Sequence, residues 1–111
     1  RGALHKSRLE WTDDVHKAVD DADVVYTDVW TSMGQEMEMA KRLKAFDGYT
    51  VDEGLFSCAA SDAVFMHDMP AHRGEEVSDT MLDHPRSVVF EQAENRLHAQ
   101  KAILASLFPR E

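Results

Sequence analysis

Val24-Val25-Tyr26-Thr27-Asp28 and Ala63-Val64-Phe65-Met66-His67 are short runs of β-branched, aromatic and apolar residues, each ending in a side chain that can carry charge. They are more continuous than alternating, which predicts parallel strands covered on both faces. Ser87 to Phe90 has the same character, and Tyr49 to Val51 reads as a shorter strand. Helical patterns lie between these runs. Thr12, Asp13 and Asp14 precede Val15, Ala18, Val19 and Ala22 at spacings of three and four, predicting a capped helix from about Asp13 to Ala22. Gln35 to Phe46 sets Met39, Leu43 and Phe46 among acids placed early and bases placed late, in keeping with the helix dipole. Gly48 ends that helix, and Asp52 to Ser57 is expected to make one or two further turns. Pro70 and Gly74 enforce a loop, Glu76 to Leu82 is expected to be helical, and Pro85 stops it. Glu91 to Phe108 is the closing helix, with Leu97, Leu104 and Phe108 on one stripe. Strands alternating with helices give an α/β architecture: a parallel sheet with helices on both faces, whose edges need cover.

The 111 residues fit one domain. A content of 43% hydrophobic and 30% charged residues is that of a folded chain. Asp and Glu number 21 against 12 Lys and Arg, a net charge of −9 that repels phosphate backbones and anionic lipid, so neither nucleic acid nor membrane is an expected partner. Cys58 is the single cysteine, which precludes an internal disulfide and fits a reducing compartment. The longest apolar runs, such as Ile103 to Phe108, are too short to cross a bilayer, and the expected location is the cytoplasm.

Ligands of an open parallel sheet bind in the loops just beyond the carboxyl ends of its strands. That rule selects three segments: Asp28 to Gly34, His67 to Glu76, and Glu94-Asn95-Arg96 at the start of the last helix. Together they offer a carboxylate, a hydroxyl, an imidazole and a guanidinium, a set suited to a small zwitterionic or phosphorylated ligand.

These segments also carry a resemblance. Asp-Val-Trp-Thr-Ser-Met-Gly-Gln-Glu at 28 to 36, Pro-Ala-His-Arg-Gly-Glu-Glu-Val at 70 to 77 and Gln-Ala-Glu-Asn-Arg-Leu-His-Ala-Gln at 92 to 100 resemble, in order, the C-terminal part of the ornithine carbamoyltransferases. The Ser-Met-Gly version disfavours aspartate as acceptor. The resemblance implies that residues 1–111 are the distal half of a Rossmann-like ornithine-binding domain, without the carbamoyl-phosphate domain. It implies transfer of a carbamoyl group from carbamoyl phosphate to L-ornithine, giving L-citrulline and phosphate with no cofactor or metal. It places Asp28, Ser32 and Met33 at ornithine, His67, Asp68, Met69 and Arg96 at carbamoyl phosphate, and Asp68 and Arg96 at the reacting centre. It further implies a cis bond between Met69 and Pro70, a homotrimer formed through the missing domain, and the mitochondrial matrix as location in a eukaryote. The family loop reads His-Cys-Leu-Pro where this chain has His67-Asp68-Met69-Pro70, so an anion replaces a thiol. The alternative is a non-enzymatic, carbamoyltransferase-like module that binds an amino acid or another subunit.

Plainer roles compete at several positions. His67 and His72 lie five apart without a third firmly placed ligand, so no metal site is expected. Cys58 beside Ala59 and Ala60 reads as a buried structural thiol, and Glu75 and Glu76 as a solvated acidic turn. Asp28 and Ser32 would serve equally as a strand end and a helix cap, and Arg96 as a partner for Glu91 or Glu94.

Overall fold

The computed structural model describes residues 8–31 and 38–108. Helix α1 spans Val15–Val19, strand β1 Val24–Thr27, helix α2 Met39–Ala45, helix α3 Glu53–Phe56, strand β2 Val64–His67 and helix α4 Val89–Leu107, with a 3-10 turn at Met81–Asp83. The Asp14 carboxylate caps α1 by accepting from the His16 and Lys17 amides, and the Asp52 carboxylate caps α3 by accepting from the Leu55 amide at 2.7 Å. Helix α1 is shorter than its apolar spacing predicts. Asp14 holds the cap one residue further on, and Asp21 at φ 55° turns the chain left-handed before Ala22 can add a turn.

Strands β1 and β2 pair in parallel, with Val24 opposite Val64 and Thr27 opposite His67. The expected third and fourth strands reduce to single bridges. Phe65 donates to the Arg86 carbonyl at 2.9 Å and accepts from the Val88 amide at 3.0 Å. The Val88 carbonyl is already taken by Gln92 at 2.8 Å, so the chain enters α4 where a strand was predicted. Val51 likewise accepts from Ser78 and donates to the Glu76 carbonyl. That extended pairing holds residues 76 to 78 out of the expected helix and leaves only the 3-10 turn beyond them. The full cover expected for β1 is also absent: Val25 points into the core, while Val24 and Tyr26 on the other face are 48% and 53% exposed.

The core gathers Val25, Phe65, Phe56, Val77, Met81 and Val89 between the sheet and α3. Phe56 meets Phe65 edge-on at 6.3 Å, a pairing of about 0.5–1.5 kcal/mol beyond the area that the rings bury. Arg86 closes the base of this core. Its Nη1 donates to the carbonyls of Ala60, Ser61 and Ala63 at 3.0, 3.1 and 3.3 Å, and its guanidinium carbon lies 4.3 Å from the Phe56 ring centre.

In α2 nothing is buried, and the ring of Phe46 just beyond it stacks on Trp30 at 5.8 Å. Val89 is the one buried residue of helix α4, and the apolar stripe of Leu97, Leu104, Leu107 and Phe108 is exposed. The radius of gyration, 17.0 Å, exceeds the roughly 13 Å of a compact domain of this length. Among the described residues, no helix is long and apolar enough to cross a membrane.

Candidate functional site at the carboxyl ends of the strands

Because Thr27 is opposite His67 in a parallel pair, the next residues, Asp28 and Asp68, leave the sheet side by side. Both line a cavity of about 320 Å³, together with Val29, Thr31, Met69, Pro70 and His72. Asp28 is exposed and accepts from the Val29 amide at 2.6 Å, so its carboxylate is turned toward the start of the following loop. Ser32 and Met33 lie outside the described residues.

The opposite wall comes from the loop after β2 and the first turns of α4. The Met69–Pro70 peptide is cis, as the resemblance implied, and Met69 sits at φ 56°. Gln92 and Arg96, one helical turn apart, reach over the strand ends. The Gln92 side-chain oxygen accepts from the His67 amide at 3.1 Å, and its amide nitrogen donates to the Tyr26 hydroxyl at 3.1 Å. Arg96 donates through Nη1 to the Asp68 carbonyl at 3.2 Å, in place of the expected partners Glu91 and Glu94.

Beneath the cavity His67 is fully buried. Its Nδ1 accepts from the Met69 amide at 2.8 Å, which puts its proton on Nε2, 3.1 Å from Glu76 Oε1. Glu76 is also fully buried, and its Oε1 accepts a second bond from the His72 amide at 2.6 Å. The solvated acidic turn expected at Glu75 and Glu76 is thus corrected: the intervening loop folds Glu76 inward to hold His67. Asp68 keeps Oδ1 buried and without a hydrogen bond, 3.4 Å from His67 Nδ1. Arg73 in the same loop pairs with Asp83 at 2.9 Å. Cys58 is exposed, 3.9 Å from His16 Nδ1, against the expectation of a buried thiol.

Residues 2–107 match the Asp/Orn binding domain of the aspartate/ornithine carbamoyltransferases. The chain belongs to that family. The ornithine carbamoyltransferase of Oceanobacillus iheyensis is 56% identical over 103 residues, covering 93% of this chain and 32% of that protein. In structure, the ornithine carbamoyltransferase of Pyrococcus furiosus superposes with a TM-score of 0.83 at 56% identity, over 93% of this chain and 33% of that one. The anabolic enzyme of Campylobacter jejuni gives 0.88 at 40% identity, over 96% and 35%. The chain therefore spans about a third of the length of the relatives it matches.

For this member of the carbamoyltransferase family, the structure brings Asp28, His67, Asp68, Met69 and Arg96 to one sheet edge. Two residues escaped the sequence reading. Gln92 lies in the third motif, and its spacing of four from Arg96, on a helix opening at a strand end, is the signal for its role. Glu76 had none, because only the fold of the loop separates it from its neighbour Glu75.

Proposed function

We propose that residues 1–111 are part of the ornithine-binding domain of an ornithine carbamoyltransferase, which converts carbamoyl phosphate and L-ornithine to L-citrulline and phosphate. Asp28 would pair with the α-ammonium of ornithine by charge-assisted hydrogen bonding, and Ser32 and Met33 would fix the same amino-acid end. The neutral δ-amine attacks the carbamoyl carbon, the bond from that carbon to the bridging phosphate oxygen breaks, and the proton shed by the nitrogen passes to the departing phosphate. Negative charge gathers on the carbamoyl oxygen during attack, and Arg96 would stabilise it, while the buried His67 would hold the Met69 backbone in place. Most of the acceleration would come from orientation, since both reactants are held at one sheet edge. The remaining phosphate contacts, the homotrimer and a cytoplasmic setting belong to the same reading of the full-length protein.

The observation that carries this reading is the parallel register. It sets Asp28 beside Asp68 while Arg96 closes on the Asp68 carbonyl. In the full-length protein, Asp28→Asn should raise KM for ornithine about tenfold or more with less effect on carbamoyl phosphate, while Arg96→Gln should lower kcat. Citrulline formation measured against each substrate tests both. A parent protein that forms no citrulline from the two substrates would leave the binding-module alternative in its place.

A further inference from the structure

We propose that His72, Glu75 and Glu76 form a site for one divalent transition ion of the zinc type, bound through His72 Nδ1 and one oxygen of each carboxylate. The starting point is the fully buried Glu76 side chain, whose two oxygens are treated differently. Oε1 accepts from His67 Nε2 and from the His72 amide. Oε2 is buried with no hydrogen-bond partner. Glu75 Oε2 is in the same condition. One oxygen of each carboxylate and a ring nitrogen of His72 lie within 4.8 Å of one another. Two buried carboxylate oxygens without hydrogen bonds, 3.6 and 4.0 Å from one imidazole nitrogen, make a pocket that calls for a cation.

The donor set selects the kind of ion. An imidazole nitrogen with two carboxylate oxygens suits zinc and its neighbours better than magnesium or calcium, which take oxygen alone. Bonds of about 2.0–2.2 Å in a tetrahedral site keep ligand atoms roughly 3.3–3.6 Å apart. His72 Nδ1 stands 3.6 Å from Glu75 Oε2 and 4.0 Å from Glu76 Oε2, so a small contraction completes the set. Glu76 is pinned by its two donors, whereas the exposed His72 side chain can make the adjustment. His72 also lines the 320 Å³ cavity, which supplies an entry path. His67 takes no part, because both its nitrogens are spent on Met69 and Glu76. His67 and His72 therefore do not act as a pair of ligands.

The test uses the full-length protein without a histidine tag, stripped with EDTA and titrated with zinc chloride by calorimetry. Cobalt absorbance would report the coordination. One ion should bind per chain with a dissociation constant of about 10 μM or tighter, and the thermal midpoint should rise with zinc. His72→Ala and Glu75→Gln should each weaken binding by at least about tenfold. They carry the test, since Glu76→Gln also disturbs the bond to His67. Cys58→Ser should leave binding unchanged, which separates this site from the Cys58 and His16 pair. The proposal is overturned if there is no saturable binding below about 1 mM, if either His72→Ala or Glu75→Gln retains the parent affinity, or if Cys58→Ser abolishes binding.

Discussion

Replacing Asp68 by Cys or Asn in the full-length protein should raise carbamoyl-transfer activity, by an amount that follows from where the carboxylate lies. Arg96, the proposed anchor of the carbamoyl group, touches the Asp68 carbonyl at 3.2 Å. Two unit charges on the order of 6 Å apart repel by about 3 kcal/mol at an effective dielectric near 20, and a phosphorylated substrate held at Arg96 would meet a repulsion of that order from the Asp68 carboxylate. The Asp68 side chain is 46% exposed, so solvent screening brings this to about 1 kcal/mol, or roughly fivefold in carbamoyl phosphate affinity. The same anion favours the ammonium form of the attacking amine and so raises the amine's pKa. Removing it should move the acid limb of the pH–rate profile to lower pH. Turnover measured by citrulline formation between about pH 6 and 10 reads both effects, because the span brackets the usual amine range. Asp68→Asn separates charge from thiol chemistry: equal shifts in both variants assign the effect to charge. Superimposable profiles for parent and Asp68→Asn would refute the reasoning. So would a large fall in turnover, which would make Asp68 a proton acceptor and not an obstacle.

Arg86→Ala should destabilise the chain by about 2–4 kcal/mol, since it strips a charged donor from three carbonyls and a cation from the Phe56 ring; denaturant midpoints and exchange of the Ala63 and Phe65 amides would register the loss. Arg86→Lys should recover part of it, and equal stability of parent and Arg86→Ala would contradict the keystone role. The Thr80 hydroxyl, more than the contacts from its own backbone, Ser78 and His84, holds the Glu53 carboxyl below its ordinary value of 4.5. A depressed pKa favours the folded state fully above that ordinary value, and the contribution is lost as pH falls through the lowered one. Glu53→Gln should therefore flatten the acid limb of stability against pH, and an unchanged limb would exclude the linkage. The isolated 111 residues should self-associate through the exposed stripe of α4, and Leu104→Glu should shift them toward monomer in sedimentation. Concentration-independent monomer for the parent would contradict this.

Local signals carried much of the fold. Strand β2 and helix α3 lie within a residue of their expected bounds, because a short apolar run and an Asp cap act over a few residues. Ser87 to Phe90 is as apolar as β2, yet it becomes one bridge and the start of α4. Composition does not record that the Val88 carbonyl is claimed by Gln92. Glu76 to Leu82 fails as a helix for a related reason: its backbone is taken by Val51, a partner distant in sequence. Ladder partners decide these segments, and a single sequence does not list them.

The site divides along the same line. Asp28, Asp68 and Arg96 were legible because chain order in a parallel sheet fixes which residues follow the strands, and the motifs fall there. Glu76 was not, since adjacent identical carboxylates differ only through the turn that buries one fully and leaves its neighbour 24% exposed. That turn connects the two proposals. The Met69 amide fixes the His67 tautomer, His67 then occupies one oxygen of Glu76, and the other oxygen is left facing His72 and Glu75. An ion there would brace the loop that carries Met69 and Pro70 without touching the reacting groups. Zinc should therefore alter the rigidity of that cavity wall before it alters the charge seen by the substrate. Amide exchange across residues 69 to 76, with and without the ion, would separate the two effects: slowed exchange with an unchanged pH–rate profile fits bracing, whereas a shifted profile would place the ion's charge within reach of the amine.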